Sequence, residues 1–165
     1  MKRGQGATEY LVILGAVLLV ALVIVSLLGW FPSLGGSTRE QQSRSYWAGA
    51  TPFSITAYLD NSTSMLFTLA NRGSDRLNLT KIEVKDSVGG TTTMFTGVSA
   101  FVYFNAGEEK TIANNTDATA PFSNQCLGMT AGTVFDYSTV TFTYSQGGIT
   151  GIKQTGARPL VGRCS

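Results

Sequence analysis

The stretch that decides the fold lies at the N-terminus, where residues 1–31 read MKRGQGATEYLVILGAVLLVALVIVSLLGWF. From Leu11 to Phe31 this stretch holds no charged residue and a single hydroxyl group, on Ser26. A helical run of this length, at about 1.5 Å per residue, spans the roughly 30 Å of a bilayer core. The acidic residue Glu9 stands at the edge of the run, where a charge beside hydrocarbon is costly and usually functional. The sequence therefore predicts a long apolar helix with one important carboxylate near its N-terminus.

Two general interpretations fit this segment in part. A secretory signal peptide has about 7–15 apolar residues before a small-residue cleavage site, whereas this longer run leads into Gly29-Trp30-Phe31-Pro32. A plain membrane anchor fits the length, with Lys2 and Arg3 on the cytoplasmic side and Trp30 at the outer interface. The anchor interpretation leaves the acidic Glu9 unexplained.

A third interpretation rests on Lys2, Arg3, Gly4, Gln5 and Glu9. They form a short basic leader, a Gly-Gln junction and an acidic residue at the fifth position after that junction, followed by about twenty apolar residues. The arrangement resembles type IV pilin precursors, and the sequence QGATEYL resembles the archaeal class whose mature chains begin with Gln (the class III signal). The resemblance implies that a prepilin-type membrane peptidase cuts between Gly4 and Gln5.

The same resemblance implies a mode of assembly. Removing the leader frees the helix to leave the membrane sideways, and takes the charge balance from 12 basic minus 10 acidic groups to 10 minus 10. In a filament core, Glu9 would pair with the α-amino group of Gln5 on a neighbouring copy, unless that Gln has cyclised and lost its amine. A buried carboxylate without a partner costs several kcal/mol, so the pair would penalise wrong registers.

The resemblance also implies partners and a location. The partners are further copies of the chain bound through their N-terminal helices, the leader peptidase, an assembly ATPase and a membrane platform protein. The precursor would lie in the cell membrane and the assembled chain in an extracellular surface filament.

The sequence divides into four segments. They are a cleaved leader (1–4), an apolar helix (5–31), a kinked helical or linker segment (32–50) and an extracellular β domain (51–165). Helix breakers in Pro32–Ser37 predict a kink or an end there. The polar stretch Thr38–Ala50 is compatible with a second helix or with an ordered linker, and its Tyr46 and Trp47 are suited to docking on the following domain.

Beyond Thr51 the residues alternate between apolar and polar, as strands do. The pattern predicts seven or eight strands, hence an antiparallel β-sandwich and an overall α+β fold. The run from Phe67 to Val84, with an irregularity near Thr80-Lys81, resembles the immunoglobulin-like domains of archaeal pilins. The predicted strands are 53–58, 65–69, 77–84, 92–95, 101–104, 110–112, 134–144 and 149–153.

Cys126 and Cys164 are the only cysteines of the chain. An even pair in an exported protein indicates a disulfide, although two free buried thiols remain the alternative. Closing a loop of this length contributes roughly 3–4 kcal/mol to stability.

Three N-glycosylation sequons occur, at Asn61, Asn78 and Asn114. Asn61 and Asn114 fall in predicted turns, where a glycan can be attached, whereas Asn78 falls in a predicted strand and is the weaker candidate. All three asparagines also have an ordinary role as turn or strand-surface residues.

Composition restricts the remaining functions. The chain has no histidine and charged residues make up 13%, so His-ligated metal sites, Ser-His-Asp triads and basic nucleic-acid platforms have no basis in it. We predict no enzyme activity, no cofactor and no nucleic-acid partner. An enzymatic hypothesis would need a hydrolase built on carboxylates such as Asp60, Asp136 or Glu108-Glu109.

The sequence thus predicts a structural subunit of an archaeal type IV pilus-like filament, serving adhesion or surface contact. One alternative is a single-span anchored β-sandwich domain that binds a surface ligand. Another is a filament subunit of the archaellum type.

Overall fold

The computed structural model describes residues 5–29, 33–87, 89–96, 102–114 and 125–165. The chain separates into two compact units, Met1–Thr38 and Arg39–Ser165. The first unit contains the apolar helix, and the second contains the strands.

Helix α1 runs from Gln5 to Gly29. Its sequence is rich in Leu, which favours helices, and it contains no proline. A helix also satisfies every backbone group within the segment, which matters where water is excluded. The predicted apolar helix is confirmed over these residues, and the question of its continuation through Pro32 falls outside the described residues.

Helix α2 runs from Ser33 to Ala48, so it begins five residues before the predicted start at Thr38. Residues 33–37 are helical, whereas the kink or end predicted for Pro32–Ser37 stays a prediction, because residues 30–32 lie outside the described residues. Gly35 and Gly36 each cost a helix about 1 kcal/mol relative to alanine, which weakens it without forbidding it. The remaining residues of α2 include several good helix formers, such as Arg39 and Glu40.

The second unit holds nine strands within the described residues. In chain order they are β1 (Phe53–Asp60), β2 (Met65–Asn71), β3 (Leu77–Asp86), β4 (Thr91–Thr96), β5 (Val102–Phe104), β6 (Glu109–Ala113), β7 (Val134–Gln146), β8 (Ile149–Thr155) and β9 (Leu160–Arg163). The expectation of seven or eight strands was one short, because β9 is only four residues long and follows a proline. Phe101, placed in the fifth predicted strand, lies outside the described residues.

The strands form two antiparallel sheets. The first has the order β1-β2-β6, and the second has the order β4-β3-β7-β8, with β5 on β3 and β9 on β7. The pairing of β3 with β7 shifts register between Leu79 and Lys81, which matches the irregularity predicted near Thr80-Lys81. Together with α1, these sheets confirm the α+β class.

Buried side chains from both sheets form one hydrophobic core. Phe53 of β1 lies against Phe104, Phe142 and Tyr144 of the second sheet, with ring centroids 5.2, 5.7 and 5.5 Å away. The indole of Trp47 is fully buried and meets the Phe142 ring edge-on at 6.1 Å. The docking predicted for Trp47 is therefore confirmed within the second unit.

Candidate functional site

The candidate functional site is the surface of α1. Every described side chain from Glu9 to Ser26 is exposed, including those of Leu11 at 63% and Val12 at 72%. Burying apolar surface contributes roughly 25 cal/mol of free energy per square ångström, so covering this helix with lipid or protein is strongly favourable. A helix that is apolar on all sides is typical of a membrane span or of the inside of an assembly.

Length and composition make Glu9–Ser26 a candidate membrane span of 18 residues. At 1.5 Å per residue these residues extend about 27 Å, close to the thickness of a bilayer core. The hydroxyl of Ser26 is compatible with hydrocarbon, because its Oγ donates a hydrogen bond of 2.7 Å to the Leu22 carbonyl oxygen.

Glu9 lies where this apolar surface begins. It is exposed and belongs to the second turn of α1, and no cation of the described residues lies within ion-pair distance of it. A cover of lipid or protein would exclude water from this carboxylate, which would then require a donor or cation from outside α1.

The predicted cleavage junction lies at the start of the same helix. Gln5 is the first residue of α1, while Gly4 lies outside the described residues.

The two cysteines form the disulfide that the sequence predicted, with Cα atoms 5.5 Å apart. Backbone hydrogen bonds hold the same region together, since the Cys164 amide donates to the Thr133 carbonyl and the Gly132 amide donates to the Cys164 carbonyl. The bond ties the C-terminal tail to the segment that precedes β7.

Beside this disulfide lies a buried acidic group that the sequence does not reveal. Asp60, at the end of β1, is fully buried, and its Oδ2 accepts a 2.7 Å hydrogen bond from the hydroxyl of Tyr137. Burial raises the pKa of Asp60 to about 6, and the Tyr137 bond offsets only part of that rise. Burial likewise raises the pKa of Tyr137, which keeps its hydroxyl protonated as the donor.

Two other carboxylates considered for catalysis have basic partners of their own. Asp136 forms an ion pair with Arg39, and Glu108 forms one of 3.0 Å with Lys110. A hydrogen bond from the Asn105 amide, followed by the contact with Lys110, lowers the pKa of Glu108. No group of three or more His, Cys, Asp or Glu within the described ranges is arranged to hold a metal ion.

The three sequon asparagines have different surroundings. Asn61 lies in the β1–β2 turn, where its Oδ1 accepts hydrogen bonds from the amide and hydroxyl of Thr63 at 2.9 and 3.0 Å. Asn78 lies in β3, between β5 and β7. Asn114 follows β6 and accepts a bond from the Met65 amide, and the rest of its sequon lies outside the described residues.

No protein-family model matches the chain, and no curated protein sequence matches it significantly.

Proposed function

We propose that this chain is a structural subunit of an archaeal type IV pilus-like surface filament. The observation that carries the proposal is the exposed apolar surface of α1 with Glu9 at its N-terminal edge. A bilayer covers such a helix in the precursor, and copies of the same helix cover it in a filament. Peptidase cleavage between Gly4 and Gln5 separates these two states, since it removes the charges of Lys2 and Arg3 that resist leaving the cytoplasmic side.

In this proposal the second unit is an immunoglobulin-like β-sandwich that forms the outside of the filament. Two antiparallel sheets around a common aromatic core support that assignment. Threonine pairs at the surface of both sheets, such as Thr141 with Thr155 and Thr68 with Thr111, suit a surface in contact with water. The chain performs no catalysis, and its role is adhesion or surface contact.

Glu9 provides register in this assembly. When helices pack side by side, the α-amino group of Gln5 on one copy neutralises Glu9 on the next, and a shifted packing leaves the carboxylate buried and unpaired. The loss from an unpaired buried charge is larger than the gain from the pair, so Glu9 acts mainly against wrong registers.

The test is the replacement Glu9→Ala in cells that make the filament, with Glu83→Ala in β3 as the matched control. Glu83 is also a glutamate, and its ion pair with Lys81 lies on the second unit. Glu9→Ala should reduce sheared surface filaments at least tenfold while the membrane retains normal amounts of disulfide-bonded chain. Wild-type filament yield in Glu9→Ala would contradict the register role.

A single-span anchored surface domain is the second candidate, because Glu9–Ser26 alone is long enough to hold the chain in a membrane. That function has no use for Glu9 and needs no peptidase. Under it, Glu9→Ala leaves surface display unchanged and the chain stays in the membrane fraction. An archaellum-type subunit shares the helix packing and differs in producing swimming motility.

A further inference from the structure

Two arginines line a small cleft between α2 and β9. Arg39 and Arg158 lie around an open volume of about 50 Å³, which the buried Ser43 also lines. Ser43 joins the helix to the strand, because its hydroxyl donates to the Pro159 carbonyl at 3.0 Å and accepts from the Val161 amide at 2.9 Å. Arg158 is exposed, and no carboxylate of the described residues lies within ion-pair distance of it. A guanidinium group carries only donors, so this cleft is suited to an anion.

Two further arginines extend the positive charge along α2 and β9. Glu40 forms ion pairs with Arg44 at 3.0 Å and with Arg163 at 3.3 Å, and Asp136 forms one with Arg39. The two carboxylates are largely covered, with 18% and 28% of their side chains exposed, whereas their three arginine partners are 47% to 62% exposed. Four guanidinium groups therefore stand against two carboxylates, and the surface that solvent meets is mainly positive.

An apolar loop lies next to this basic surface. It comprises residues 126–133, which include no charged residue, and its Leu127 and Met129 are 63% and 56% exposed. Arg163 Nη1 donates a 3.2 Å hydrogen bond to the Gly132 carbonyl, and the disulfide fixes the first residue of the loop. Exposed apolar side chains that are held in place and bordered by arginines mark a surface for interaction.

A bilayer surface supplies the chemistry that the cleft and the apolar loop require. Phosphate groups accept the forked donors of guanidinium groups, and the cleft is large enough for one of them. Apolar side chains bordered by basic ones are also the pattern with which interfacial helices bind anionic bilayers. The covalent chain limits the distance as well, because Arg39 follows Ser26, the end of the candidate span, by 13 positions. A fully extended chain of that length reaches about 45 Å at most.

We propose that this surface of the second unit binds anionic lipid headgroups, with one phosphate group between Arg39 and Arg158 and with Leu127 and Met129 inserted among the upper acyl chains. The inference rests on the membrane-anchored precursor of the proposed function, to which it adds a second attachment. The contact holds the second unit on the bilayer that α1 spans, and it is lost when α1 leaves the membrane.

Methyl NMR of the full chain in lipid nanodiscs tests this contact. The methionine methyl groups are isotopically labelled, and each nanodisc holds one chain in phosphatidylcholine, with or without phosphatidylglycerol, together with a lipid that is spin-labelled high on its acyl chain. Met129 is the exposed probe, and the fully buried Met65 and Met94 are internal references. The spin label should broaden the Met129 signal more than the two references, and it should do so only when phosphatidylglycerol is present.

Arg39→Gln combined with Arg158→Gln should reverse this effect. The relaxation enhancement at Met129 reports the ratio of lipid-bound to free second unit, and that ratio should fall about fivefold for each arginine removed near the anionic surface. If the double variant fails to fold by circular dichroism, Arg158→Gln alone keeps the ion pair of Arg39 and supplies the same test.

Lys110→Gln combined with Lys153→Gln is the matched control. These exposed or half-exposed lysines lie in β6 and β8 and are not among the described residues that line the cleft. The control removes the same charge and should broaden Met129 as the wild type does.

Three results would overturn the inference. They are equal broadening of Met129 in both lipid mixtures, arginine variants that behave like the lysine control, and a response only when several chains share a nanodisc, which would assign this surface to contacts between copies. Flotation with vesicles separates this inference from the proposed function. A chain that floats but leaves Met129 unaffected contradicts this inference alone, whereas a chain that does not float contradicts the membrane-anchored precursor as well.

Discussion

The hydroxyl of Tyr137 donates a 2.7 Å hydrogen bond to Asp60 Oδ2, joining β1 to β7 across 77 positions of the chain. The other carboxylate oxygen, Oδ1, is buried with no partner among the described residues. Tyr137 in turn accepts a 3.0 Å bond from the amide of Gln125, next to the disulfide. Asp60 therefore has one carboxylate oxygen that is hydrogen-bonded and one that has no partner among the described residues. It lies where β1, the segment that precedes β7 and the C-terminal tail meet.

This acid makes the stability of the second unit depend on pH. The pKa of Asp60 is about 6 in the folded chain and about 3.9 in an unfolded one. As pH rises from about 4 to 6, the unfolded state ionises first and the folded state loses about 3 kcal/mol of stability from this group. Asp60→Asn keeps an acceptor for Tyr137 and should abolish that loss, as measured by urea unfolding in micelles at pH 4 and pH 7.

Asp75→Asn is the control for this effect, since Asp75 is exposed. Its stability difference from the wild type should be nearly equal at the two pH values. If the difference in unfolding free energy between Asp60→Asn and the wild type is also the same at pH 4 and pH 7, the buried carboxylate does not titrate as described.

The disulfide should carry a measurable share of stability. Replacing both Cys126 and Cys164 by serine releases a loop with a sequence separation of 38, which should lower the free energy of unfolding by roughly 3–4 kcal/mol. Denaturant titration with and without reductant measures this loss. Reductant should lower the unfolding free energy of the wild type to that of the variant and leave the variant unchanged. Equal unfolding free energies in all samples would argue against the disulfide.

Close approach of aromatic rings explains two glycines. A Cβ at Gly156 would collide with the indole of Trp47, and one at Gly162 would collide with the rings of Tyr58 and Phe135. Gly156→Ala and Gly162→Ala should each cost about 1–3 kcal/mol through overpacking. Thermal unfolding followed by near-ultraviolet circular dichroism measures both.

Gly49→Ala is the matched control, because its added Cβ would meet only ordinary contacts at 3.7 Å or more. It should leave stability nearly unchanged. If Gly156→Ala were as stable as Gly49→Ala, the close contact described between Gly156 and the Trp47 indole would be wrong.

The sequons should differ in occupancy. Asn61 lies in a turn whose Ser62 and Thr63 are exposed, whereas the Asn78 Oδ1 is buried within β3. Glycopeptide mapping of surface protein from its native host should find a glycan on Asn61 and none on Asn78, and Asn61→Gln should remove it. An occupied Asn78 beside an unmodified Asn61 would reverse this assignment.

The sequence predicted the features that depend on local pattern. The apolar run defined α1, alternation defined most strands, and the irregularity near Thr80-Lys81 appeared as the register shift between β3 and β7. The cysteine pair was found because only two cysteines exist, which leaves one intramolecular pairing.

Features that depend on distant contacts escaped prediction. The strand β9 is too short to show an alternation of apolar and polar residues. The need for glycine at position 162 comes from the rings of Tyr58 and Phe135, which leave no room for a Cβ. The early start of α2 at Ser33 contradicts the local signal of Gly35-Gly36. Asp60 resembled any surface acid in the sequence, because its burial depends on Tyr137, far along the chain.

The most direct test of the proposed function is the N-terminus of the chain in the sheared surface fraction, determined by peptide mass spectrometry. A filament subunit should begin at Gln5, either as free glutamine or in its cyclised form, and peptides that contain Lys2 and Arg3 should be confined to the membrane fraction. Surface protein that begins at Met1 would contradict cleavage between Gly4 and Gln5, and with it the proposal that α1 leaves the membrane to assemble.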